Sequence, residues 1–149
     1  MQTVELLAPA RDFEAAQAAI LCGADAVYIG AEQFSARQAA GNSIETIRRV
    51  IELAAPYYVR VYAALNTLLT DDELPQAGRL IEQLYEAGID GLIIQDTGLL
   101  ELDLPPVPLI ASTQMNNTTI DHIRFLQQVG FSRVILAREL SLEQIKQIR

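Results

Sequence analysis

Three stretches of this chain repeat one pattern. Gly23-Ala24-Asp25-Ala26-Val27-Tyr28-Ile29, Gly88-Ile89-Asp90-Gly91-Leu92-Ile93-Ile94 and Gly130-Phe131-Ser132-Arg133-Val134-Ile135-Leu136 each leave a helical pattern at a glycine, make a short polar turn and enter an apolar run. A glycine past the last helical residue takes the left-handed conformation that ends a helix cleanly. A short, continuously apolar run reads as a strand buried on both faces, which is the signature of a parallel sheet. Strands are expected at 4–8, 26–29, 59–65, 91–94, 109–111 and 134–137. Helices between them are expected to start at Asp12, at Asn42 with Glu45 as a capping box, at Thr70 with Glu73, and at Ser141. Six strand–helix units with right-handed crossovers make a parallel α/β protein.

Two architectures accept such units, an open doubly wound sheet and a closed eight-fold barrel. No glycine-rich phosphate loop follows the first strand, where nucleotide-binding open sheets carry one. Polar residues instead recur after nearly every strand: Asn66-Thr67, Gln95-Asp96, Ser112-Thr113-Gln114-Met115-Asn116 and Arg138-Glu139. This favours the barrel, whose parallel strand ends gather at one rim. A barrel takes eight units and roughly 250 residues, whereas 149 residues hold six. The expectation is one domain, 1–149, forming part of a TIM-type barrel, with the remainder lying elsewhere.

Composition narrows the function. The net charge of −8 repels phosphate backbones, so nucleic acid would have to meet a local arginine cluster or a basic domain elsewhere in a longer protein. Cys22 is the one cysteine, which excludes a disulfide or a cysteine-based metal site within the chain. No apolar run reaches the ~20 residues of a membrane span, and the N-terminus lacks a charged-then-apolar leader, so a cytoplasmic location and no membrane partner are expected.

The rim supplies the candidate chemistry. Ser112, Thr113, Gln114, Asn66, Gln95 and Asn116 offer neutral donors and acceptors, and Arg37 and Arg138 offer planar forks suited to carboxylate or phosphate. Asp96 and Glu139 are the acid–base candidates. Each has a plainer alternative: Asn is common where strands turn, hydroxyls satisfy strand-end backbone, and Arg138-Glu139 can be an ion pair. There is no Gly-x-Ser-x-Gly elbow and no His-Glu-x-x-His helix. His122, the only histidine, reads as a helix-boundary residue, and Lys146, the only lysine, lies on the last helix. No self-contained hydrolytic site is visible.

Several stretches together carry a family resemblance: Glu5-Leu6-Leu7-Ala8-Pro9-Ala10, Gly23 to Tyr28, Phe34-Ser35-Ala36-Arg37 with Gly41-Asn42, Asn66-Thr67-Leu68, Gln95-Asp96, Ala111 to Asn116, and Leu136 to Ser141. In this order the chain resembles the N-terminal barrel segment of the collagenase-like peptidases, a family of unknown catalytic mechanism. The resemblance implies a TIM-type barrel and peptidase (hydrolase) activity. Some members are linked instead to hydroxylation of tRNA or rRNA bases. It further implies a cysteine-bearing signature beyond Arg149, and an iron–sulfur cluster in the RNA-modifying members, with no cofactor held by this chain. Arg11 stands where the family has a small residue, and Gln38-Ala39-Ala40 lacks the aromatic expected after Arg37. The implied partner is a peptide or RNA substrate bound by the complete protein. A different class of reading is a non-catalytic interaction module, whose open barrel edges are covered by the missing C-terminal region or by a second copy.

Overall fold

The computed structural model describes residues 4–36 and 41–148. Six strands form one wholly parallel sheet in the order β1-β2-β3-β4-β5-β6: Leu7–Ala10, Ala26–Gly30, Arg60–Leu65, Gly91–Ile94, Leu109–Ala111 and Arg133–Val134. The helices are α1 (Phe13–Leu21), α2 (Ile44–Ala54), α3 (Leu74–Glu86), α4 (Ile120–Gln128) and α5 (Leu142–Ile148). Every strand neighbours the next one in sequence, so the sheet never reverses its winding. That order is the barrel's, and the six strands make an incomplete TIM-type barrel.

The repeated turns do the same job three times. Gly23, Gly88 and Gly130 have φ of 93°, 91° and 108° and close α1, α3 and α4. Two residues on, a polar side chain grips the strand next door. Asp25 Oδ2 accepts from Leu6 N–H at 2.7 Å, while Asp25 N–H donates to Leu6 C=O at 3.0 Å. Asp90 repeats this with Val61, at 2.8 and 2.9 Å. Ser132 uses its hydroxyl as a donor, to Leu109 C=O at 2.8 Å. Each grip joins residues directly opposite one another, one position before the pairing of those two strands begins.

Register then divides the strands into two faces. Val27, Ile29, Val61, Ala63, Leu65, Leu92 and Ile94 turn outward into the main core with the helices. Ala26, Tyr62, Ala64, Ile93 and Ile110 turn inward with Leu7, Tyr28 and Ile135. Gly91 makes room for Tyr62: a Cβ there would stand 3.2 Å from the Tyr62 ring and 3.1 Å from Pro108 C=O.

At the N-terminal end of the strands one carboxylate ties the curved sheet together. Glu5, ahead of β1, is bonded to Arg60 of β3 and Arg133 of β6, and it accepts from the Tyr62 hydroxyl at 3.3 Å. The Arg133 guanidinium lies 5.7 Å from the Tyr62 ring centre, a cation–π distance. The bond to Glu5 holds Arg133 above its ordinary pKa. Burial holds the Tyr62 phenol above its own, with the nearby arginine charges opposing.

Four sequence expectations shift. β1 begins at Leu7 because the Leu6 backbone is already held by Asp25, and it runs through Pro9, which is tolerated since only one flank of β1 is paired. β6 stops at Val134 instead of Ala137, because its partner β5 ends at Ala111 and Ala137 N–H turns to Asn117 C=O. The cap of α2 is Ser43, which accepts from Thr46 N–H. Asn42 is buried and donates to Arg11 C=O at 2.9 Å and Gly30 C=O at 3.1 Å. Thr70 and Glu73 do meet, with Glu73 accepting from Thr70 N–H at 2.8 Å, but they shape the turn before α3. Asp12 and Ser141 cap as expected.

Two outcomes follow from these bonds. Asp90→Ala leaves the Val61 N–H unpartnered in a part-buried place and should lower the unfolding free energy by about 1–3 kcal/mol in urea titrations. Asp90→Asn keeps an acceptor oxygen and should lose less. Tyr62 titrates above its unfolded value near 10.0, so its contribution to stability is complete below that pH and is lost as pH rises through the folded value. The unfolding midpoint of Tyr62→Phe should therefore fall less steeply above pH 10 than that of the unaltered protein.

Candidate functional site

A cavity of about 640 Å³ opens at the C-terminal ends of the strands. Its wall is the inner sheet face, with Leu7, Pro9, Tyr28, Ala64, Ile93 and Ile135 as the apolar lining. Above them stand Asn66, Ser112, Thr113 and Gln114, flanked by Arg11 and Arg138. The volume and the mixture of an apolar wall with a few polar groups are those of a small-molecule or single-residue site.

Each polar group owes its place to a strand end. Ser112 follows β5 directly and is buried; its hydroxyl accepts from Gln114 N–H at 3.2 Å and so turns the chain into a 3-10 turn over Thr113–Met115. Asn117, fully buried, donates to Ser112 C=O and Ile135 C=O, both at 2.8 Å, and so ties the ends of β5 and β6 together. Asn66 follows β3, and its Oδ1 accepts from Ala36 N–H at 3.0 Å, holding the loop after β2 over the cavity. That loop returns through Gly41, where a Cβ would come within 2.8 Å of the Glu32 backbone.

The two arginines differ electrically. Arg11 pairs with Asp12 at 2.9 Å. The Asp12 carboxyl is held below its usual pKa, first by the Ala15 N–H and then by Arg11. Arg138 is exposed and has no ion pair or hydrogen bond among the described residues, and no Arg138–Glu139 pair forms. Arg138 is therefore the uncompensated positive charge at the mouth, suited to a phosphate or carboxylate.

Of the residues singled out in the sequence, Asn66, Ser112, Thr113, Gln114 and Arg138 come together on the cavity. Gln95, Asp96, Asn116 and Glu139 are outside its lining. Gln95 reaches the Gln114 carbonyl at 3.4 Å, and Asn116 takes the left-handed conformation that ends the 3-10 turn. Asp96 spends both oxygens on backbone: Oδ2 accepts from Leu69 N–H at 2.8 Å and Oδ1 from Gly98 N–H at 2.7 Å. Arg37 lies outside the described residues. Tyr28 and Arg11 line the cavity and Asn117 supports it by its bonds to the strand ends, although the sequence marked none of them as a binder. Strand alternation would have turned Tyr28 inward with Ala26, whereas nothing local distinguishes Asn117 from Asn116.

The donor set does not fit an iron–sulfur cluster. Cys22 sits past the end of α1, at the opposite end of the strands from the cavity, and no three His, Cys, Asp or Glu side chains converge among the described residues. Nor is any described helix long and apolar enough to cross a membrane.

Comparison with known proteins meets this geometry from outside. The model of peptidase family U32 matches residues 11–149. The chain belongs to that family. It is 52% identical over 145 residues to the "23S rRNA 5-hydroxycytidine C2501 synthase" of Escherichia coli (strain K12), covering 97% of this chain and 22% of that protein. It is 32% identical to tRNA hydroxylation protein P1 of Bacillus subtilis (strain 168), covering 97% of this chain and 35% of that protein. A collagenase of Porphyromonas gingivalis (strain ATCC BAA-308 / W83) is 29% identical, again over 97% of this chain and 35% of that protein. The chain thus spans roughly a fifth to a third of the length of these U32 relatives. The solved structure of a U32 peptidase superposes with TM-score 0.73 at 12% identity, covering 100% of this chain and 66% of that one. A phosphonopyruvate hydrolase superposes at TM-score 0.61 and 17% identity, covering 98% of this chain and 57% of that one. At such identities the two structures bear on the fold alone.

The bonds of Asp96 set a clear expectation. Asp96→Ala should cost about 1–2 kcal/mol of stability, because two backbone N–H groups lose their acceptor. Thermal unfolding indistinguishable from that of the unaltered protein would remove Asp96 from this structural role.

Proposed function

We propose that this chain is the substrate-holding part of a barrel enzyme that modifies a base of RNA. The 52% identity to an rRNA hydroxycytidine synthase, across 97% of the chain, carries this reading. The cavity supports it. An apolar wall with an aromatic ring, neutral amide and hydroxyl groups at the rim, and the unpaired Arg138 among the described residues suit a base with its adjoining phosphate. The acidic chain as a whole repels a long phosphate backbone, so the segment holds one nucleotide and leaves any tracking of the strand to the rest of the protein. Among the described residues the lining sets no cysteine or histidine beside the hydroxyls of Ser35, Ser112 and Thr113, so this reading assigns these residues to binding and orienting the substrate.

A second reading, peptide hydrolysis, draws on the collagenase-named relative at 29% identity. The same amides and Arg138 would then hold a peptide backbone and a carboxylate.

The experiment is made on the complete protein and its gene. Loss of the gene should remove from rRNA or tRNA a pyrimidine nucleoside one oxygen heavier than its parent, read by nucleoside mass spectrometry. Restoring the gene with Arg138→Ala or Gln114→Ala should recover roughly a tenth or less of that nucleoside, with melting temperatures nearly unchanged, since neither side chain has a bonding partner among the described residues. An unchanged nucleoside profile, with cleavage of a collagen-derived peptide that depends on Arg138, would overturn the RNA reading in favour of the peptidase one.

A further inference from the structure

Resting on the RNA reading, we infer that Asn66 is the residue that recognises the base, by donating to the 2-carbonyl that both pyrimidines share, while Gln114 accommodates whatever group the base carries at position 4. The two amides look alike in sequence but differ in freedom. Asn66 Oδ1 is held by the Ala36 N–H at 3.0 Å, so its amide cannot turn over without breaking that bond. With the oxygen engaged, the group that Asn66, a lining residue, has left for a ligand is its NH₂, a donor only. The Gln114 side chain has no partner among the described residues, so its amide rotates to present either oxygen or NH₂. Ser112 contributes little to discrimination, because its hydroxyl is buried and engaged with Gln114 N–H.

A fixed donor selects a constant acceptor, and a rotatable amide tolerates a variable partner. Cytosine carries an amino donor at position 4 and uracil a carbonyl acceptor, as the corresponding groups of cytosine and thymine show in DNA. The 2-carbonyl is the same in both. Asn66 therefore orients a pyrimidine with its 2-carbonyl toward β3, and Gln114 accepts from the amino group of one base or donates to the carbonyl of the other. Arg138, uncompensated at the mouth, meets the adjoining phosphate. Asn66 thus both positions the loop after β2 and recognises the ligand, with one atom for each task.

The test uses the complete protein with three probes, cytidine 5′-monophosphate, uridine 5′-monophosphate and ribose 5-phosphate, titrated by calorimetry. The two nucleotides should bind within about threefold of each other, and ribose 5-phosphate at least roughly tenfold more weakly. Asn66→Asp keeps an oxygen for Ala36 but replaces the donor with a second acceptor. It should weaken both nucleotides by about tenfold or more and leave ribose 5-phosphate unaffected. Equal affinities in Asn66→Asp and the unaltered protein would overturn the inference. So would failure of the unaltered protein to bind either nucleotide, or a preference above roughly tenfold between the two. None of these results touches the RNA reading itself, which is decided by the nucleosides of the cell. If Asn66→Asp also lowers the melting temperature by several degrees, Asn66→Ser, which keeps an acceptor for Ala36, separates the two tasks. If Asn66→Ser folds normally and still binds both nucleotides as the unaltered protein does, the inference falls. If it folds normally and binds neither, the inference stands.

Discussion

The structure rests on three short grips at the lower end of the sheet. Asp25 on Leu6, Asp90 on Val61 and Ser132 on Leu109 join residues that face each other across β1–β2, β3–β4 and β5–β6. In a parallel sheet no tight hairpin fixes register, and a slip by one residue exchanges the two faces of a strand. A slip at β3 would turn Val61 and Ala63 into the barrel and Tyr62 and Ala64 out against the helices. The grips form in the turn that follows the helix-ending glycine, so the same few residues that stop a helix also set where the next strand pairs.

With register set, the inner face acquires a polarity along the barrel axis. At the lower end Glu5 gathers Arg60, Arg133 and the Tyr62 hydroxyl, and draws β1, β3 and β6 toward one point. Gly91 permits this by leaving space for the Tyr62 ring. Above that layer the inner side chains shrink to Gly30 and Ala64, and the cavity opens there. Its floor is therefore the top of a packed, ion-paired plug. Glu5 is largely shielded there, whereas Arg60 and Arg133 keep 50% and 41% of their side-chain surface in water, so each single attraction is screened by solvent.

The electrostatics of the upper end follow from one asymmetry. A chain of net charge −8 places Arg11 and Arg138 at the mouth among its described residues, and Asp12 neutralises Arg11. Arg138 retains its field. A localised positive charge on an acidic body favours one anionic group at one position over a polyanion laid along the surface.

The amino-acid sequence by itself determined the strand–helix alternation, the parallel sheet and its barrel winding, because glycine stops, caps and buried apolar runs are local signals. β4 and β5 fall where their apolar runs lie, and the strand-end clustering of Asn66, Ser112, Thr113, Gln114 and Arg138 follows from parallel topology alone. Only the tertiary structure decided how far the edge strands pair, since β6 can extend no further than its partner β5. It also decided which polar tips face the cavity. Asp96 and Asn66 both follow a strand end, yet Asp96 turns its two oxygens onto the Leu69 and Gly98 backbone, while Asn66 spends its oxygen on Ala36, keeps its amide nitrogen without a partner among the described residues and lines the cavity. That difference depends on where unpaired backbone N–H groups from distant segments arrive, and such positions exist only once the sheet has curved.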